Sequence, residues 1–592
     1  MRQKGMRQKG MRRMRWRAIV PVTVVCVVAM VLAACGGIPD DSLPQPISSF
    51  AREGPTNAVP VPQPDMDPEA LVRAYLKATA APADAHAAAR RFLTASAAAQ
   101  WDERGDAVIL DDINTYVDQR SQTAVRMRLV GDNVGLLKAN GQLLPATGQV
   151  EATLSLTWVG KQWRIDGSLP DSTMIDRSQF EVSYRSVSAY FTDRTRTRLV
   201  PDPRWLYGGS DSDPTTLVNT LIAGPATNLS AALDSALPSG AALRGPVTST
   251  AGGGGVRIDL TGIGNPSIRD RTVLAAQIVW TLNGADIGGP YLINADGAPL
   301  VADRSGGWQT TDLRSFDPSA TPSTNVGLNV IRDGALIKVI DDRTVPVPGS
   351  LGSGRSLRAA AISLDGSRVA AVLAADGSDP RLNLTVADYG GEPTIVTSGT
   401  SITRPSFGPG KDTVWAVVDG KPIEWIRDDS GTTRIVDIDT GQVDALVRGP
   451  ITELQIAPDG IRAALIVSGQ VIFAVLATNA NGQLTFDKPQ IAAYNIGNRA
   501  VSLDWAAPTT VMVAREATDS PVVQVSISGT PAVGLLSGNV SPPVRAVVAN
   551  PTTVYIADQR GVLRLGSTDG QADEYWTEVE PAMSPGTIPV IP

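Results

Sequence analysis

The chain reads as a multidomain protein in which two α+β domains precede an all-β propeller. Three observations predict this. The C-terminal half repeats a strand–turn–strand unit whose turns, at Gly366, Gly410, Gly460, Pro508 and Pro551, lie 44, 50, 48 and 43 residues apart. The stretches ahead of it mix helical periodicity with alternation of apolar and polar residues. A basic head and a short apolar run, 18–34, end at Cys35 and mark everything after it as exported.

The leader comes first. Its apolar run of 17 residues falls short of the roughly 20 that a membrane-spanning helix needs. Gly36, Gly37 and a proline-rich stretch follow it, without a basic stop-transfer cluster. The run closes as Leu32-Ala33-Ala34-Cys35. Small side chains at Ala33 and Ala34 admit an extended backbone to a peptidase cleft, Leu32 fills an apolar subsite, and Cys35 offers a sulfur nucleophile. This ending resembles the bacterial lipobox. The resemblance implies an S-diacylglycerol thioether on Cys35, cleavage just before it, and N-palmitoylation of the new terminus. The opening Met1-Arg2-Gln3-Lys4-Gly5 repeats at once from Met6, which leaves Met1, Met6, Met11 and Met14 as alternative initiators.

Composition excludes several function classes. With 43% hydrophobic and 19% charged residues the chain is globular, and 56 Gly and 43 Pro favour turns and short strands. The leader carries eight basic residues and no acid, so its removal takes the formal charge from −7 to −15. Such a body gains nothing from nucleic acid, and membrane contact is expected through the lipid at Cys35 alone. Cys26 leaves with the leader and Cys35 carries the lipid, so no thiol remains for a disulfide or a Cys-rich metal site. His86 is the sole histidine, which narrows catalytic chemistry further.

The expected segments are a signal peptide at 1–34, a lipidated Cys with a proline-rich tether at 35–65, and a first domain at 66–182. Polyproline geometry lets a tether of that size reach roughly 90 Å. Asp67-Pro68-Glu69 is a helix start, followed by a stripe of Leu71, Ala74, Tyr75 and Ala78. A second helix is expected to carry His86, Ala89, Phe92 and Leu93. Alternation then marks strands: Val125, Met127 and Leu129; Val150, Ala152, Leu154 and Leu156; Trp163 and Ile165. Helices followed by a curved antiparallel sheet resemble the NTF2-like cone fold, which can hold a small ligand.

The second domain spans 183–315. Strands at 187–191, 256–260 and 290–293 alternate with helices at 215–223, opened by Asp213-Pro214, and at 271–282. The series SAYFTD, LVNTLIAGP, VRIDLTG, LAAQIVWTLNG and YLINADG resembles, in order, the GerMN domain of spore-germination and envelope proteins. That resemblance implies a fold and a location, and no catalytic residue.

The third region, 325–580, carries the repeats at 357–373, 402–418, 451–467, 499–514 and 543–557. A period of 40–50 residues with hairpin units predicts propeller blades. IAPDGIRAAL resembles the repeat of TolB-type propellers. A hairpin at 326–340, turning at Asp333-Gly334, and the segment around Tyr575-Trp576 can build or close one blade more. Five to seven blades are expected, with six favoured, and 581–592 is expected to be a flexible tail.

No catalytic, cofactor or metal site is assigned. His86 lies among alanines and reads as structural; Gly252–Gly255 lacks the Lys-Ser/Thr of a phosphate loop. Asp437 and Asp439 share a strand face that suits Ca²⁺, but a solvated blade edge explains them. Asp211 and Asp213 read as a helix cap, Asp428-Asp429 as a turn.

The order of parts, from lipobox through tether and two α+β domains to propeller, resembles the LpqB family of actinobacterial lipoproteins over essentially the whole chain. What this implies is a non-enzymatic lipoprotein on the extracytoplasmic face of the cell membrane. The family is linked to the extracytoplasmic sensor domain of the MtrB histidine kinase, and so to two-component control of envelope metabolism and division. A cell-wall glycan or muropeptide binder, using the propeller rim, is the alternative.

Overall fold

Asp67 accepts a hydrogen bond from the Glu69 amide at 3.0 Å, and Pro68 has no amide hydrogen to leave unpaired, so Pro68–Ala78 starts as the sequence predicts. The computed structural model describes residues 59–592 apart from 171, 209–212, 251–253, 321–323, 376, 378–379 and 569–570. The leader, Leu32, Ala33, Ala34, Cys35 and most of the tether lie outside the described residues. Val59–Pro592 is one compact unit.

The second helix departs from expectation. Ala83–Arg90 is helical, but Asp84, Ala85 and His86 hold φ of 51°, 55° and 56°, the left-handed region. Phe92 and Leu93 fall beyond its end, where Leu93 bridges to Ile165. They are buried by docking on the sheet instead of on a helical stripe.

That sheet has the order Gln162–Asp166, Gln149–Val159, Ala124–Leu137, Ala107–Arg120, Thr173–Asp176. Val125, Met127, Leu129, Leu154, Leu156 and Ile165 face Leu71, Val72, Tyr75 and Phe92 across the core. The strand Ala107–Arg120 has no clean alternation in sequence. Its register with the next strand slips between Asp111 and Asn114 and again between Val117 and Gln119, and each bulge breaks the period of two.

In the second domain Tyr184–Asp193 pairs with Leu199–Tyr207. Val256–Thr261 and Tyr291–Ala295 run parallel, joined through the helix Ile268–Asn283. Parallel neighbours require such a crossover. Asp213 caps Pro214–Ala223 through the Thr215 amide at 2.9 Å.

Six sheets of at least four strands form the propeller: the first blade draws its strands from 329–346 and 588–590, the second from 357–399, the third from 406–437, the fourth from 451–491, the fifth from 500–534 and the sixth from 546–578. Ala370, Ala371 and Val372, and likewise Ala463 through Val467, are buried on both faces. Strands next to the innermost one therefore read as continuous apolar runs instead of alternating. The hairpin at 326–340 does build a blade: Asn329–Arg332 pairs with Ala335–Ile340 around Asp333-Gly334. The expected flexible tail is corrected here. Ile588–Val590 pairs antiparallel with Asn329, Val330 and Ile331 and closes the ring with a strand from the far end of the chain. Ring closure removes the open edge that the first blade otherwise exposes.

Candidate functional site

Strand Leu199–Tyr207 of the second domain is where the three domains meet. Asp202 and Arg204 form a bidentate pair, with Arg204 Nε and Nη2 donating at 3.0 and 2.7 Å. Their side chains are 1% and 3% exposed. Asp202 also accepts the Ala226 amide at 2.8 Å, and Arg204 Nη1 donates to the Asn140 carbonyl of the first domain at 2.8 Å. Both charges are thus satisfied, which burial demands.

The neighbouring residues reach the propeller. Arg462, buried in the fourth blade and paired with buried Asp459, donates through Nη2 to the Pro201 carbonyl. Trp205 Nε1 donates to the Ser528 carbonyl of the fifth blade at 2.9 Å. Gly529, at φ +84°, lies so close to the first domain that a Cβ there would sit 2.4 Å from the Leu143 carbonyl oxygen. Arg177 bonds Asp111 and donates to the Tyr494 hydroxyl at 2.9 Å. The cavity left at this junction, lined by Asp202, Asn228, Arg462, Lys488 and Ser528, holds about 30 Å³, room for one water-sized group. The seam is closed.

A second polar cluster joins the innermost strands of neighbouring blades. Arg404 precedes the innermost strand of the third blade, Glu453 lies on that of the fourth, and Asp504 on that of the fifth. Arg404 Nε donates to Glu453 at 2.8 Å, Nη2 donates to the Leu503 carbonyl, and Nη1 lies 3.9 Å from Asp504. Asp504 accepts the amides of Trp505 and Ala549, each at 3.1 Å, and so reaches the sixth blade. Two carboxylates share one guanidinium, and burial pushes the pKa of both Glu453 and Asp504 up. The signal for this cluster was present in the repeats, which carry a charge just ahead of the turn: Arg404 in ITRPSF, Glu453 in ITELQI and Asp504 in VSLDWA.

The residues weighed from sequence fall apart from one another. His86 is half-buried with its ring 5.7 Å from that of Trp101, and burial holds its pKa below the ordinary imidazole value. Asp439 accepts the Gly441 amide at 2.9 Å while Asp437 is exposed, and among the described residues no group of three or more possible ligands assembles for a metal. Asp428 accepts amides from Ser430 and Thr432, as a turn residue does. Asp211, Gly252 and Gly253 lie outside the described residues, and Gly255 abuts Pro290. A cleft of about 450 Å³ lies between Gln100–Arg104 and Gly167–Pro170 of the first domain; Asp102 and Arg104, which line it, bond each other. No helix among the described residues is long and apolar enough to cross a membrane.

Comparison with known proteins covers all three domains. Residues 61–181 match the model of the lipoprotein LpqB N-terminal domain, 188–301 the sporulation and spore germination model, and 334–592 the lipoprotein LpqB beta-propeller domain. Lipoprotein LpqB of Rhodococcus opacus (strain B4) is 38% identical over 577 residues, 95% of this chain and 96% of its own. That of Mycolicibacterium smegmatis is 38% identical over 594 residues, covering 97% of this chain and all 100% of its own. That of Mycobacterium tuberculosis (strain CDC 1551 / Oshkosh) is 37% identical over 591, covering 96% and 99%. Among solved structures, a periplasmic gluconolactonase of Pseudomonas aeruginosa overlays 47% of this chain and 89% of its own with TM-score 0.32 and 15% identity, a likeness too low to carry an argument. With identity of this extent along nearly its full length, the chain belongs to the LpqB family of lipoproteins.

Proposed function

We propose that the chain is exported, carries S-diacylglycerol and N-palmitoyl groups on Cys35, and works without catalysis at the extracytoplasmic face of the cell membrane. There it modulates the sensor domain of an MtrB-type histidine kinase that governs envelope metabolism and division. The observation that carries this reading is the closed seam between the three domains. Pro201, Arg204 and Trp205 on one strand engage both neighbours, so a partner meets a single body and not a string of mobile modules. Two acyl chains hold that body in the membrane plane. Confinement raises its effective concentration beside a membrane kinase, and preferential binding to one sensor state shifts the kinase population.

The test is capture of the Cys35→Ala body by the immobilised sensor domain, with cell-wall glycan as the competing bait. Retention on the sensor domain, with lost signalling by Cys35→Ala in cells, is expected. A released, fully active Cys35→Ala protein contradicts the tethering idea; retention on glycan alone replaces it with the wall-binding reading.

A further inference from the structure

The two ends of the first domain's sheet differ in chemistry. The hairpin of Ala107–Arg120 and Ala124–Leu137 is about 45 Å long at roughly 3.3 Å per residue. One end is buried in the junction, where Ala107, Leu137 and Leu143 share a core with Phe180, Trp205 and Tyr494. The other end, the turns at 121–123 and 160–161, points away from it. The Trp158 amide bonds the Thr123 carbonyl at 2.9 Å, which holds the two turns side by side.

That free pole is apolar and wet at once. Trp158 is 38% exposed and Val159 51% at the end of Gln149–Val159, and Tyr116 and Val117, on Ala107–Arg120 and further from the tip, 48% and 50%. Trp158 stands edge-on to buried Trp163 at 5.2 Å, so its position is fixed from beneath. Arg120 and Lys161 are exposed beside them. The first helix starts beside the same pole: Asp67, its cap, lies 3.9 Å from Arg120, and Val59 and Met66 ahead of it pack on this domain's core.

We propose that this pole rests in the headgroup zone of the membrane that holds the anchor. The inference builds on lipidation at Cys35. Val59 follows Cys35 by 24 residues, which limits their separation to about 85 Å even at full extension. A tether of that length lets the pole reach the bilayer that holds the anchor. Trp and Tyr beside Arg and Lys match the interfacial zone, where a ring is half-buried and a cation meets phosphate. The acidic body supplies no long-range attraction, so the contact depends on tethered concentration and on burial of Trp158, Val159 and Val117.

The absence of other cysteines in the lipidated protein makes Val159→Cys a unique thiol for a nitroxide. In vesicles of phosphatidylglycerol and phosphatidylethanolamine, the label at 159 should be shielded from an aqueous relaxer and reached by oxygen. A label at Ile395→Cys, on a blade, should stay aqueous. Equal aqueous access at both positions overturns the proposal, as does shielding at 159 without vesicles, which would mean a protein occupant. The Cys35→Ala chain lacking its leader should co-sediment weakly with the same vesicles, and Trp158→Ser with Val159→Ser should cut that partition about tenfold. This arm needs no acyl chain on the protein, so failure of Cys35 acylation and failure of the pole are told apart.

Discussion

Replacing Arg462 with Met tests whether the seam is as closed as its geometry states. The side chains of Arg462 and Asp459 are 6% and 1% exposed, and Arg462 also donates to the Pro201 carbonyl. Arg462→Met keeps most of the volume but leaves the Asp459 charge buried with only the backbone amides of Ile461 and residue 462, at 2.8 and 3.2 Å. Breaking one side of a buried pair costs about 3–5 kcal/mol. The lost bond to Pro201 lies within that sum, because the carbonyl is stranded at the same time. Adding Asp459→Asn removes the orphaned charge and should return about 2 kcal/mol or more, a coupling that contact between the two side chains requires. Urea unfolding of the Cys35→Ala body, followed by tryptophan fluorescence, reads both numbers. Trp205 donates to Ser528 across the same seam, so its emission should shift before global unfolding in Arg462→Met. A single-variant loss under about 1 kcal/mol, or a double variant no better than the single, would refute the reasoning.

Other consequences follow from the same contacts. Glu453 and Asp504 hold raised pKa values in the fold, so between their unfolded and folded values the native state binds protons that the unfolded chain has released. Their contribution to stability is therefore present at low pH and lost as pH rises through the folded values, and Asp504→Asn should flatten that part of a denaturation-versus-pH curve. Gly529→Val places carbon against the Leu143 carbonyl at a φ that β-branched residues avoid, and a loss of about 2–4 kcal/mol with local hydrogen exchange around 141–145 and 526–530 is expected. Deleting residues 588–592 removes the strand that pairs with Asn329–Ile331, and faster exchange in the first blade, with a lower unfolding midpoint, is the outcome to look for. Unpairing that edge should also increase aggregation, read by light scattering.

What the residues declare locally is what short-range physics controls. Asp67 and Asp213 cap their helices because a carboxylate reaches the amide two positions on, whatever the rest of the chain does. The blade repeats are visible because each unit must bury the same faces, and Leu32-Ala33-Ala34-Cys35 is read as a linear string. The strand Ala107–Arg120 stayed hidden because its bulges destroy the only periodicity a strand displays. The helix expected to carry Phe92 and Leu93 ended early because those side chains gain more from the sheet than from a helical stripe.

By itself, then, the sequence determined the order of domains, the repeat architecture, the helix caps and the residue offered for lipidation. Only the tertiary structure decided that the last strand closes the ring, that Arg462 finds Pro201, and that Arg404 sits between Glu453 and Asp504. Each of these joins residues far apart in sequence, through backbone carbonyls and buried charges whose partners leave no local pattern. Their pairing is a property of the assembled core, where the low dielectric makes an unmet charge or carbonyl costly enough to select one arrangement.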